Sequence, residues 1–83
     1  MNERVLSLTW MEAGQSGTIM QIQGGIGLVG RLAALGVRPG KRITKISSLF
    51  IRGPVIIEMD RAQLAIGFGM ANRVIVKLEE TKK

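Results

Sequence analysis

The sequence contains neither cysteine nor histidine. The first absence removes disulfides, thiolate nucleophiles and cysteine-based zinc or iron-sulfur sites. The second removes the imidazole that most often serves as metal ligand or general base. Tyrosine is missing as well, and Trp10, Phe50 and Phe68 are the whole aromatic complement. Acidic residues are scarce: 6 Asp and Glu stand against 12 Lys and Arg, a formal charge of +6 on 83 residues. That sign favours an acidic partner, whether nucleic acid, an anionic leaflet or an acidic protein face. No apolar run approaches the roughly 18 residues that span a bilayer. The opening Met-Asn-Glu-Arg-Val-Leu has neither the basic stretch nor the apolar core of a secretory signal, so a cytoplasmic chain is expected.

What the chain has in excess is glycine, 11 residues, about twice the usual share of roughly 7%. The glycines sit mainly between short apolar segments, the punctuation of a small β-barrel. After a mixed lead from Ser7 to Ala13, Gly14 and Gly17 bracket a turn. Thr18 to Gln23 then alternates, with Ile19, Gln21 and Gln23 on one side and Met20 and Ile22 on the other, and reads as a first strand. Gly24, Gly25 and Gly27 break it. Leu28, Val29, Leu32 and Leu35 recur at helical spacing up to Gly36, which suits the residue after a helix end. Two helical turns do not hold together in water unaided, so this stripe is expected to seal the open end of a barrel.

Arg38-Pro39-Gly40-Lys41 reads as a reverse turn into a strand from Lys41 to Ser48. Gly53-Pro54 resets the chain. Val55 to Met59 and Gln63 to Ile66 form a hairpin around Asp60 and Arg61, Gly67 and Gly69 flank a brief turn or helical turn near Met70 and Ala71, and Arg73 to Leu78 is the last strand. The fold class expected is mainly β: a small barrel of about five strands with one short helix inserted after the first. One domain should span residues 1–83, with its core between 8 and 78. Met11, Met20, Met59 and Met70 are read as core filler, Trp10 as the cap of one barrel end, and Leu28, Leu32 and Leu35 as core.

This order of elements resembles the FeoA family, a small cytosolic component of the ferrous-iron uptake system whose domain also occurs at the end of some metal-dependent repressors. The resemblance runs from Leu8 to Leu78. It is carried chiefly by Gly27-Leu28-Val29-Gly30-Arg31-Leu32-Ala33-Ala34-Leu35-Gly36-Val37-Arg38-Pro39-Gly40, with Leu64-Ala65-Ile66, Ala71 and Val74-Ile75-Val76 beyond it. The chain departs from the family pattern at Arg61, where a turn glycine is common, at Gly67, where a basic residue often stands, and at Gly69, where an acidic one usually opens a small helix. The resemblance implies an SH3-like barrel. It also implies a non-enzymatic accessory role: docking on the cytosolic part of a FeoB-type membrane transporter, which carries a GTPase domain, and modulating its activity. The partner would then recruit the chain to the inner face of the membrane.

Ferrous iron prefers imidazole, thiolate or clustered carboxylates, and of these only carboxylates exist here. Glu58 and Asp60 lie two apart on a strand, but Arg61 adjoins them and no third ligand is in local register. No catalytic, metal or cofactor-binding residue is expected, and no cofactor. Gly24-Gly25-Ile26-Gly27 lacks the Gly-Lys-Ser/Thr ending of a phosphate loop and reads as a flexible strand-to-helix link. Arg31, Arg38, Lys41 and Arg42 form either a basic rim beside the exposed edge of the helix at Leu28 or a scattered, solvated set. Leu49, Phe50 and Ile51 are either an apolar contact loop or a strand extension into the core. These eight residues are the candidate partner-binding set. Two other readings stay open: a domain that contacts a metal-dependent transcription regulator, and a small basic barrel that binds nucleic acid. The second lacks aromatic residues interleaved with basic ones on an alternating strand.

Overall fold

The computed structural model describes residues 4–48 and 52–79, so the expected contact loop Leu49-Phe50-Ile51 lies outside the described residues. Strict alternation at the C-terminal end of the chain produces the central element. In β6 (Val74–Leu78), Val74, Val76 and Leu78 are buried while Ile75 and Lys77 are less so. This strand pairs antiparallel on both sides, with β1 (Val5–Ser7) and with β2 (Ser16–Ile22). β3 (Arg42–Ser48), β4 (Val55–Met59) and β5 (Ala62–Ile66) continue the same sheet, giving the order β1-β6-β2-β3-β4-β5. Among the described residues no ladder joins β1 to β5. Helix α1 (Ile26–Ala34) lies between β2 and β3, and helix α2 (Phe68–Ala71) between β5 and β6. The arrangement is the small SH3-like β fold with an inserted helix. It has six strands where about five were expected, and α1 therefore follows the second. Val5–Ser7 went unread because three residues are too few to display an alternation; its pairing with β6 makes it a strand.

Helix α1 is short and carries Gly27 and Gly30 in its interior, so tertiary packing must hold it. Leu32 is fully buried and Leu28 packs partly buried against the core. At the C-terminus, Gly36 N–H donates to Ala33 O at 2.8 Å and Val37 N–H to Leu32 O at 2.9 Å, with Gly36 at φ +88. Those two bonds make a Schellman motif, and the burial of both Leu32 and Val37 supplies its apolar contact. The expected turn follows, with Lys41 N–H donating to Arg38 O at 3.2 Å.

Two expectations for β2 change. Gly17 lies inside the strand rather than at a turn, because a Cβ there would stand 2.5 Å from Lys77 O and 2.6 Å from a Val76 methyl; β6 crosses too closely for any side chain. Met20, expected in the core, is half exposed. The ladder to β6 pairs Ile19 with Val76 and Gln21 with Ile75, so Met20 is an unpaired bulge residue. The extra residue resets the alternation, so Ile22 points inward with Ile19 while Met20 and Gln21 both face out.

Met11 and Met59 are buried and Met70 is partly buried, as expected. Leu35, expected in the core, is half exposed, since as the last residue before the left-handed turn it sits beyond the buried stripe. Trp10, expected as a barrel cap, is 74% exposed. It belongs to a 3-10 turn, Leu8–Trp10. With three residues per turn, Leu8 and Met11 share the inward side, and Trp10 is directed away from it.

That turn is held by an inward-facing lysine. Ile43 and Lys45 occupy the core face of β3, and Lys45 is only 4% exposed. Its ammonium donates to the carbonyl oxygens of Met11 at 2.5 Å, Leu8 at 3.3 Å and Thr9 at 3.3 Å. Burial pushes the Lys45 pKa below the ordinary lysine value. The folded chain therefore releases this proton at lower pH than the unfolded chain does. Unfolding free energy should rise with pH between the folded-state value and the ordinary one.

This packing sets the response to three substitutions and to pH. Gly17→Ala should destabilise the fold by about 1 to 3 kcal/mol in urea unfolding, because β6 backbone must move. At the β4–β5 hairpin, Asp60 and Arg61 both take positive φ, 53 and 68, the geometry of a two-residue turn that favours glycine. Arg61→Gly should therefore stabilise by about 1 kcal/mol. Lys45→Met strands buried carbonyl oxygens and should cost about 1 to 3 kcal/mol. The wild-type urea midpoint should climb as the pH approaches the ordinary lysine value of about 10.4 from below. That climb should be absent from the Lys45→Met variant.

Candidate protein-docking surfaces

The candidate basic rim divides into two parts. Lys41 and Arg42 are engaged: Lys41 Nζ donates to Asp60 Oδ2 at 2.7 Å, pinning the turn after α1 to the β4–β5 hairpin. Arg42, at the start of β3, forks onto Glu79 just past β6, Nη2 donating to Oε1 at 3.1 Å and Nε to Oε2. The hydrogen bond from Arg42 holds the Glu79 carboxyl below the usual carboxylate range, and Glu79 in turn raises the Arg42 pKa. Both pairs are solvated, so they tie strand ends together and contribute little stability.

Arg31 and Arg38 remain exposed, and among the described residues neither has an ion-pair partner. The same segment also exposes apolar side chains, of which Leu35, four positions on, lies on the side of Arg31. Ile26 is 93% exposed, and Val29 and Leu35 are partly exposed, while Leu28 is mostly spent on the core. The residues available to a partner on this side are thus Arg31, Arg38 and the outer edge of the helix. Asp60, two positions from Glu58, is occupied by Lys41. Among the described residues there is no group of three or more carboxylates placed to hold a metal ion, and no helix long and apolar enough to cross a membrane.

A second surface lies where the 3-10 turn meets α2. Trp10, Phe68, Arg52, Thr9 and Asn72 line an open groove of about 320 Å³. Its two walls are cross-braced. The Thr9 hydroxyl donates to Asn72 Oδ1 at 2.9 Å, and Ser7 Oγ lies 2.8 Å from Thr9 Oγ1 and 3.4 Å from Asn72 Oδ1. None of the five lining residues belongs to the candidate set read from the sequence. Trp10 and Phe68 are 58 positions apart, and only the packing of the two short helical turns brings them together. One signal was present: a lysine on the same strand face as Ile43 demands carbonyl acceptors, and the segment supplying them turns Trp10 outward.

The family model described as the FeoA domain matches residues 6–78. A Methanocaldococcus jannaschii protein, provisionally named Fe(2+) transport protein A, is 30% identical over 70 residues, covering 84% of this chain and 83% of that one. A crystal structure described as iron uptake regulatory protein (FeoA) superposes with a TM-score of 0.86 at 34% identity, covering 92% of this chain and all of that one. A manganese-dependent transcriptional repressor matches 95% of this chain with 44% of its own length, at a TM-score of 0.83 and 18% identity, a likeness of fold alone. The pattern from Leu8 to Leu78, the six-stranded sheet with its inserted helix, and a model match spanning nearly all the described residues agree: this chain belongs to the FeoA domain family.

Proposed function

We propose that this chain is a non-enzymatic accessory protein of ferrous-iron uptake, acting by docking on the cytosolic part of a FeoB-type transporter and modulating its activity. The observation that carries the reading is the exposed surface of α1 and the turn after it. Two arginines without ion-pair partners among the described residues, Arg31 on α1 and Arg38 in the turn beyond it, are exposed on the same segment as the apolar side chains of Ile26, Val29 and Leu35. Apolar area with a rim of one sign is the composition of a surface that recognises an acidic protein face. The family and the iron-transport names of its relatives supply the physiological setting. Lys41 and Arg42 act within the fold through their carboxylate partners, and the formal charge of +6 adds long-range attraction.

The purified cytosolic part of such a transporter, immobilised at low salt, should capture the chain. The Arg31→Glu, Arg38→Glu double variant should bind about tenfold or more weakly while unfolding at the wild-type urea concentration. Absence of capture at high micromolar concentration, or a double variant that binds as tightly as wild type, overturns the reading. Co-purification with a DNA-binding regulator in place of the transporter would favour contact with a regulator instead.

A further inference from the structure

The groove between the 3-10 turn and α2 is unlike the α1 face in both shape and chemistry. It is concave, and two aromatic side chains stand at its walls: Trp10, 74% exposed, and Phe68, partly exposed. Its polar groups are nearly all donors. Asn72 Oδ1 is already taken by the Thr9 hydroxyl, with Ser7 close by, which leaves the Asn72 amide N–H groups free to donate. Arg52 adds a guanidinium with no ion-pair partner among the described residues. Its backbone sits at φ +65, a left-handed position that would cost glycine nothing.

A ligand for this groove must offer flat apolar groups and hydrogen-bond acceptors and bring few donors of its own. An extended proline-bearing peptide does so: each proline has a carbonyl but no N–H, and its ring stacks on aromatic faces. The lone guanidinium then selects a neighbouring carboxylate. A nucleic-acid strand would stack on Trp10 and Phe68 equally well, but its run of phosphates calls for a track of cations, and Arg52 is the single cation among the lining residues. We propose that this groove is a peptide-binding site for an extended, proline-bearing segment of a partner protein with an acidic residue beside the proline. The walls are fixed in advance, by the Lys45 ammonium on one side and the Thr9–Asn72 bond on the other, so little ordering is lost when a peptide binds. The inference rests on the reading of this chain as a docking protein and gives it a second contact.

Trp10 is the only tryptophan in the sequence, so its fluorescence reports on the groove directly. Three probes are titrated into the full chain: a proline-rich decapeptide with two aspartates at one end, the same peptide with lysines replacing the aspartates, and an oligothymidylate of ten nucleotides. The acidic peptide should shift Trp10 emission saturably below about 1 mM. The lysine peptide should bind several-fold more weakly. Phe68→Ala should weaken the acidic peptide about tenfold, and Arg52→Gln should abolish the difference between the two peptides; the second variant keeps the test valid if the first fails to fold. No saturable shift with the acidic peptide, equal or tighter binding of the lysine peptide, or tighter binding of the oligothymidylate overturns the proposal. If these fail while the transporter's cytosolic part still captures the chain through Arg31 and Arg38, the groove assignment alone is lost. If capture fails too, the docking role goes with it.

Discussion

The path of the N-terminal turn, and the groove it walls, depend on where one buried cation finds its acceptors. Lys45 occupies a core-facing position on β3, and an ammonium taken out of water must be surrounded by oxygen or it is strongly destabilising. The oxygens come from the 3-10 turn, whose carbonyls at Leu8, Thr9 and Met11 converge on Nζ. The hydroxyl network from Ser7 and Thr9 to Asn72 then couples the same turn to α2. A segment at the start of the chain, the middle of β3 and the last helical turn are thus joined around a single charge. Apolar packing would hold the strands together without it, but would leave the direction of the 3-10 turn unspecified.

The charged residues sort by role once the pairs are known. Lys41 with Asp60 and Arg42 with Glu79 close strand ends, Lys45 organises a turn, and Arg31, Arg38 and Arg52 face solvent on two separate surfaces. Arg4, Arg61 and Arg73 are also exposed without an ion pair among the described residues, so part of the positive charge solvates the surface elsewhere. The rest includes Arg31 and Arg38 at α1 and its exit and Arg52 in an aromatic groove, each without an ion pair among the described residues, on a chain of 83 residues.

Local rules were sufficient wherever the chain obeys them locally. Gly36 after a helical stripe, Pro39-Gly40 at a turn, the hairpin around Asp60 and Arg61, and the alternation of Val74, Val76 and Leu78 could all be read from neighbours a few positions apart. The rest was set by contacts distant in sequence. Gly17 is glycine because β6 crosses it, and Trp10 is exposed because Lys45, 35 positions later, claims the carbonyls around it. β1 is a strand only by virtue of its partner. Of the candidate site, Arg31 and Arg38 were legible as solvent-facing charges, but not that Lys41 and Arg42 would be taken by carboxylates at Asp60 and Glu79. The groove was not legible, since its walls come from opposite ends of the chain.

The unpaired Met20 has a consequence for how this strand tolerates changes of length. Because the ladder already skips it, removing that one residue would leave Gly17, Ile19 and Ile22 on the inward side and Thr18 and Gln21 on the outward side, an uninterrupted over-and-under weave with every partner kept. A deletion elsewhere in β2, outside the outward pair Met20 and Gln21, would turn part of the strand inside out. The bulge is thus a spare link, a place where this strand can be shortened without unthreading the core.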